Sequence, residues 1–215
     1  SYTYYKIYLT IPSSKFYARM KAMDEKTIET RETPAKENSF WELIRFAIIA
    51  VAIVLPIRIF IAQPFVVSGS SMVPTFLDGE YLIVDEISYR LGEPERGDVV
   101  IFRYPKDPTK FFIKRVIGLP NETVDVDGNE VTIFNKENEQ GVILDQPYLR
   151  SVSGVKTHTV LDDDEYFVMG DNRPGSSDSR VWGPVERKFI VGRAFLRLLP
   201  IDEIKFMPGK YEYTN

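Results

Sequence analysis

The sequence predicts a mainly β domain preceded by one N-terminal apolar helix that spans a membrane. Three observations carry this. The stretch Phe46–Ala62 contains a single charge, Arg58. Beyond Pro64 the apolar residues come in short runs separated by turn residues, with no long helical period. Asp127-Gly128-Asn129 stands between two such runs, which is a strong hairpin signal.

Residues 1–39 mix aromatics such as Tyr2, Tyr4, Tyr5 and Tyr8 with charge and carry no motif, so we expect a poorly ordered or weakly helical tail. The first residue is Ser rather than Met, and we expect further residues ahead of it. Ser39 with Glu42 three positions on reads as a capping box, so the helix is expected to begin near Phe40. Pro64 is expected to end it. The resulting anchor, 40–64, falls within the roughly 17–25 residues that cross a bilayer. Trp41 and Phe65 sit where interfacial aromatics belong. Lys26, Arg31, Lys36 and Arg45 precede the apolar stretch, and the twenty positions after Ala62 hold no Lys or Arg. The positive-inside rule then places 1–39 in the cytoplasm and 65–215 outside.

The strand expectations follow in chain order. They are 81–84, 98–102 behind Gly97, 111–117, 123–126, 131–134, 166–169 and 193–196. Residues 140–161 carry little pattern and are expected to form a surface excursion.

Composition narrows the function. A net charge of −4 argues against a nucleic-acid binder. With no cysteine there is no disulfide framework, thiol nucleophile or common zinc site. His158 is the single histidine and lies in the unpatterned excursion, where we expect a surface residue. We expect no cofactor and no metal.

Three segments carry candidate chemistry. In Val67-Ser68-Gly69-Ser70-Ser71-Met72-Val73-Pro74-Thr75 the small residues would let backbone approach a substrate carbonyl, as a serine nucleophile requires, although such turns also serve as linkers. Ser71 lies nine residues past Ala62, a reach of roughly 30 Å at most, so it is held near the membrane surface. Within Phe111–Ile117, strand alternation puts Phe112, Lys114 and Val116 on one face and Arg115 on the other. Apolar neighbours would lower the Lys114 pKa and make it a candidate base. An unperturbed lysine, with a pKa of about 10.4, is neutral in only roughly one molecule in 2,500 at pH 7. The third segment, Gly170-Asp171-Asn172-Arg173-Pro174-Gly175-Ser176-Ser177-Asp178-Ser179-Arg180, mixes carboxylates and guanidiniums that suit paired, loop-fixing bonds. A calcium loop is the alternative, and the arginines oppose it.

Taken together, these segments resemble the bacterial type I signal peptidases. The resemblance runs from about Phe40 to Pro200. It includes Arg58-Ile59-Phe60 and Pro64-Phe65, Ser71-Met72-Val73-Pro74-Thr75, Lys114-Arg115-Val116-Ile117-Gly118-Leu119-Pro120 and the third segment through Ser179-Arg180. It implies a serine endopeptidase that removes signal peptides from exported preproteins at the lipid bilayer. It implies a coiled antiparallel β-sheet fold. Position by position, it implies Ser71 as nucleophile, with its N–H in the oxyanion hole, and Lys114 as general base. Ser176 would orient the amine, and Asp171 with Arg115 and Asp178 with Arg180 would form scaffold pairs. Val67, Phe76 and Ile113 would shape shallow substrate pockets.

The sequence departs at Gly69, where Gram-negative members carry a serine whose hydroxyl aids the oxyanion hole. The single anchor looks more like the Gram-positive kind. Two rival readings are a self-cleaving repressor, which the apolar stretch opposes, and an inactive anchored β domain, which the filled Ser71 and Lys114 positions oppose.

Overall fold

In the computed structural model, residues 38–56 and 62–213 are described. Two units divide between Val51 and Ala52. Helix α1 (Asn38–Pro56) begins two residues ahead of the expected start. Its apolar side chains, among them Phe40, Trp41, Leu43, Phe46, Ile48, Ile49, Ile53 and Val54, are exposed. No helix among the described residues is long and apolar enough to cross a membrane. Part of the expected anchor, residues 57–61, lies outside the described residues, as does nearly all of the expected tail. The last part, from Ala62, is strand rather than helix: β1 (Ala62–Val66) pairs antiparallel with β2 (Tyr81–Asp85).

The remaining strands are β3 (Val99–Tyr104), β4 (Asp107–Gly118), β5 (Thr123–Asp127), β6 (Glu130–Phe134), β7 (Val142–Ile143), β8 (Lys156–Val160), β9 (Glu165–Met169), β10 (Val185–Glu186), β11 (Ile190–Leu199) and β12 (Lys205–Phe206). They form two sheets. The larger runs β1-β2-β11-β3-β4-β9-β10, with β12 against β11, and the smaller runs β7-β6-β5-β8. Every pairing is antiparallel. All seven expected strands are present, as β2, β3, β4, β5, β6, β9 and β11.

Burial explains the patterns. In β5 and β6 the alternate residues Val124, Val126, Val131 and Ile133 are buried, so one face is apolar. They pack with Ile117, Phe167 and Met169 of the larger sheet. The hairpin closes through Gly128-Asn129, and Gly128 adopts a φ of 65°, a conformation that costs glycine little. In β3, Val99, Val100, Ile101 and Phe102 are all buried, which accounts for its unbroken apolar run. Val100 and Phe102 pack with Val116 and Val168. On the other side, Val99 and Ile101 pack with Met72 and Phe76.

The excursion at 140–161 is more ordered than its sequence suggests. It contains β7 and β8, and β8 pairs with β5 along its whole length. No residue of β8 is buried, so the strand never acquired the apolar alternation that would have marked it.

Candidate active site

Two central strands and one long connection build the site. Across the β3–β4 pair, Lys114 lies opposite Val100 and Arg115 opposite Val99. On the other edge of β4, Arg115 lies opposite Met169, the last residue of β9. Asp171, two positions beyond, is thereby brought to the Arg115 guanidinium. The bond is bidentate, with Arg115 Nε donating to Asp171 Oδ1 at 2.9 Å and Nη2 to Oδ2 at 2.6 Å. Both side chains are only 1% exposed. Arg115 Nη1 donates to the carbonyls of Gly97 and Gly209, and Tyr148 covers the guanidinium face at 4.0 Å. A buried guanidinium of this kind is tolerable because its charge and its donors are all answered.

Asp178 and Arg180 form a second buried bidentate pair, at 2.8 Å for both bonds. Among the described residues the chain holds two further short α-helices, α2 (Ser88–Leu91) and α3 (Ser179–Trp182), and Asp178 caps α3 by accepting from the Arg180 N–H. Its other oxygen accepts from the Gly170 N–H at 3.0 Å. The third segment is thus folded back against the end of β9.

Ser71 sits in the β1–β2 connection, residues 67–80. Lys114 Nζ is 2.8 Å from Ser71 Oγ and donates to the Ile113 carbonyl at 2.8 Å. The amine is 4% exposed by residue, and the Phe112 ring lies 5.4 Å from it. Burial holds the Lys114 pKa down at about 8, against the opposing pull of Asp178 and Asp171. Such an amine is neutral in about one molecule in ten at pH 7.

The third segment also grips the turn that carries Ser71. The Asn172 N–H donates to Ser71 O at 3.0 Å, and Asn172 Nδ2 donates to Ser70 O at 3.1 Å. Gly170 marks the closest approach. A Cβ there would lie 2.5 Å from Ser71 O and 2.2 Å from Ser176 Oγ. Sequence reasoning gave no role to Gly170 or Asn172. Only Gly170's place at the head of a turn-rich segment pointed to it.

Ser176 therefore lies beside the Ser71 turn, but its Oγ is buried without a hydrogen bond and does not hold the lysine amine here. Val67 and Ile113 line a cavity of about 250 Å³, with Phe65, Leu82, Phe111, Ser71 and Lys114. Phe76 is not in that lining. It is fully buried, packed with Met72 and Val99, because it lies on the inner side of the turn. Gly69 has a φ of 91° with open space where a side chain would start. Backbone conformation, not crowding, disfavours a serine there. His158 is exposed on β8 of the smaller sheet, where it pairs with Asp125, whereas Lys114 is on β4 of the larger sheet.

A hydroxyl and a desolvated amine at hydrogen-bond distance can exchange a proton, which is what activation of a serine requires. Among the described residues no group of three or more His, Asp or Glu side chains is placed to hold a metal ion.

The family described as "Signal peptidase, peptidase S26" matches residues 40–199. "Probable signal peptidase I-2" of Synechocystis sp. is 38% identical over 194 residues, covering 87% of this chain and 85% of its own. "Signal peptidase I" of Bacillus amyloliquefaciens is 35% identical over 195 residues, covering 85% and 97%. A solved signal peptidase I of Enterococcus faecalis V583 is 28% identical with a TM-score of 0.40, covering 47% of this chain and 97% of its own.

Proposed function

The chain belongs to the signal peptidase family, peptidase S26, and is a signal peptidase I, a serine endopeptidase; within it we propose that Ser71 is the nucleophile and Lys114 its general base. The observation that carries this is the 2.8 Å approach of a buried amine to the Ser71 hydroxyl.

The steps follow from that geometry. Neutral Lys114 takes the Ser71 proton as Oγ attacks the scissile carbonyl carbon. The carbonyl oxygen becomes an oxyanion, and the Ser71 N–H is the donor we assign to it. The Lys114 ammonium then returns the proton to the departing amine, and the C–N bond breaks. Water attacks the acyl-enzyme by the reverse sequence, Lys114 again accepting the proton, and the released signal peptide carries the new carboxylate. Asp171–Arg115 and Asp178–Arg180 hold the frame rigid. We assign to Ser176, which lies beside the same turn, the orienting of the Lys114 amine, a bond absent from this conformation. The apolar cavity beside Val67 and Ile113 would receive small side chains ahead of the cleavage site.

The substrate is the signal peptide of an exported preprotein. The apolar stretch within 40–64 anchors the chain in the lipid bilayer, with 1–39 cytoplasmic and the β domain outside. The asymmetry of Lys and Arg around Phe46–Ala62 supports that direction. Ser71→Ala and Lys114→Met should each abolish preprotein cleavage while the β-rich circular dichroism is kept. Turnover by the lysine variant would remove Lys114 from its role.

A further inference from the structure

The turn that bears Ser71 is held on one side by Asn172, and its far limb is held by a second set of contacts. Residues 67–80 leave β1 and return to β2 through a neck closed by two backbone bonds. The Val67 N–H donates to Glu80 O and the Gly79 N–H to Val67 O, both at 2.9 Å. The far limb, Thr75 and Phe76, meets Arg197 from β11.

Arg197 is 8% exposed, and its guanidinium makes four contacts. Nη2 donates to Thr75 O at 2.6 Å. The guanidinium carbon lies 5.1 Å from the centre of the Phe76 ring. Nε is paired with Glu80 Oε2 at 3.0 Å, off the N–H direction. Nη1 donates to Glu203 Oε2 at 2.6 Å. One side chain thus joins the neck of the turn to its far limb. Thr75 is held from its other side as well, since its hydroxyl donates to Asp171 Oδ2. Asp171 in turn pairs with Arg115, the neighbour of Lys114.

We infer that Arg197 is a positioning residue, clamping the 67–80 turn so that Ser71 Oγ stays within reach of Lys114 Nζ. The inference rests on the reading of those two residues as nucleophile and base. Arginine suits the task. Its planar fork offers donors in several fixed directions. Lysine at this position supplies one point charge and cannot serve Thr75, Glu80 and Glu203 together.

The test uses the full chain in detergent with a peptide substrate. Arg197→Lys is expected to lower kcat by about 10- to 100-fold, with KM changed by less than about twofold. The pH at which activity rises should also move upward, because a loosened turn lets water reach the amine. A purely structural role would reduce the folded fraction but leave kcat per folded molecule and the pH limb unchanged. That result, or parental kcat in a folded variant, overturns the inference. If Arg197→Lys does not fold, Glu80→Gln removes the charge at the neck and should lower kcat in the same direction by a smaller factor, and parental kcat there overturns the clamp. Ser71→Ala in the same assay separates the two proposals. Turnover by that variant defeats the nucleophile reading, whereas an inactive Ser71→Ala beside an unimpaired Arg197→Lys defeats only the clamp.

Discussion

Replacing Lys114 with Met should make the protein inactive and, at neutral pH, more stable. Lys114 is buried and its pKa is held at about 8 in the fold, against 10.5 for the free side chain. Below pH 8 both folded and unfolded chains carry the ammonium, so the fold bears the full cost of burying it. That cost is about 3.5 kcal/mol, at about 1.4 kcal/mol for each tenfold change between 10.5 and about 8. Between pH 8 and 10.5 the unfolded chain binds the proton and the folded chain does not, so parental stability rises with pH. Above 10.5 neither state holds it and the penalty is gone. Met fills a similar volume without a charge, although it leaves the Ile113 carbonyl and Ser71 hydroxyl without their amine partner. The difference between variant and parent is therefore the quantity to follow. Urea unfolding of both proteins from pH 7 to 11 should show the advantage of Lys114→Met shrinking by about 3.5 kcal/mol, most of it between pH 8 and 10.5. A difference that stays constant with pH would refute the claim that the fold lowers the pKa of this amine.

Asp171→Asn should destabilise the protein by about 3–5 kcal/mol, because it leaves the buried Arg115 guanidinium without a counter-charge; the urea midpoint reads this directly. Gly170→Ala should lower kcat by at least about 100-fold, since the added methyl would fall 2.5 Å from Ser71 O and displace the turn; steady-state cleavage of a peptide by the folded variant measures it.

Much of this was legible in the chain because burial writes a period into it. β5 and β6 bury every second residue and were visible as alternation, and β3 buries both faces and was visible as a solid apolar run. β8 has one exposed and one half-buried face, with no residue buried outright, and has no such signature. β1 continues an apolar stretch, so its composition does not separate strand from helix until it finds β2 as a partner. Ser71, Lys114 and the two carboxylate–guanidinium pairs stood in dense local motifs. Their partners by contact were another matter. Arg197 lies 122 positions from Thr75, and nothing near it in sequence announces the bond. Phe76 reads equally as a pocket or a core residue, and only the direction of the turn decides that it faces inward.

Activation of Ser71 requires a lysine that gives up its proton near neutrality beside the serine hydroxyl. Titration of the Lys114 side chain by NMR, with the lysine Cε labelled and Lys114 assigned by its Met variant, measures that directly. The predicted midpoint is about 8, with kcat/KM rising over the same range. A midpoint near the ordinary 10.5, in an enzyme already fully active at pH 8, would contradict it.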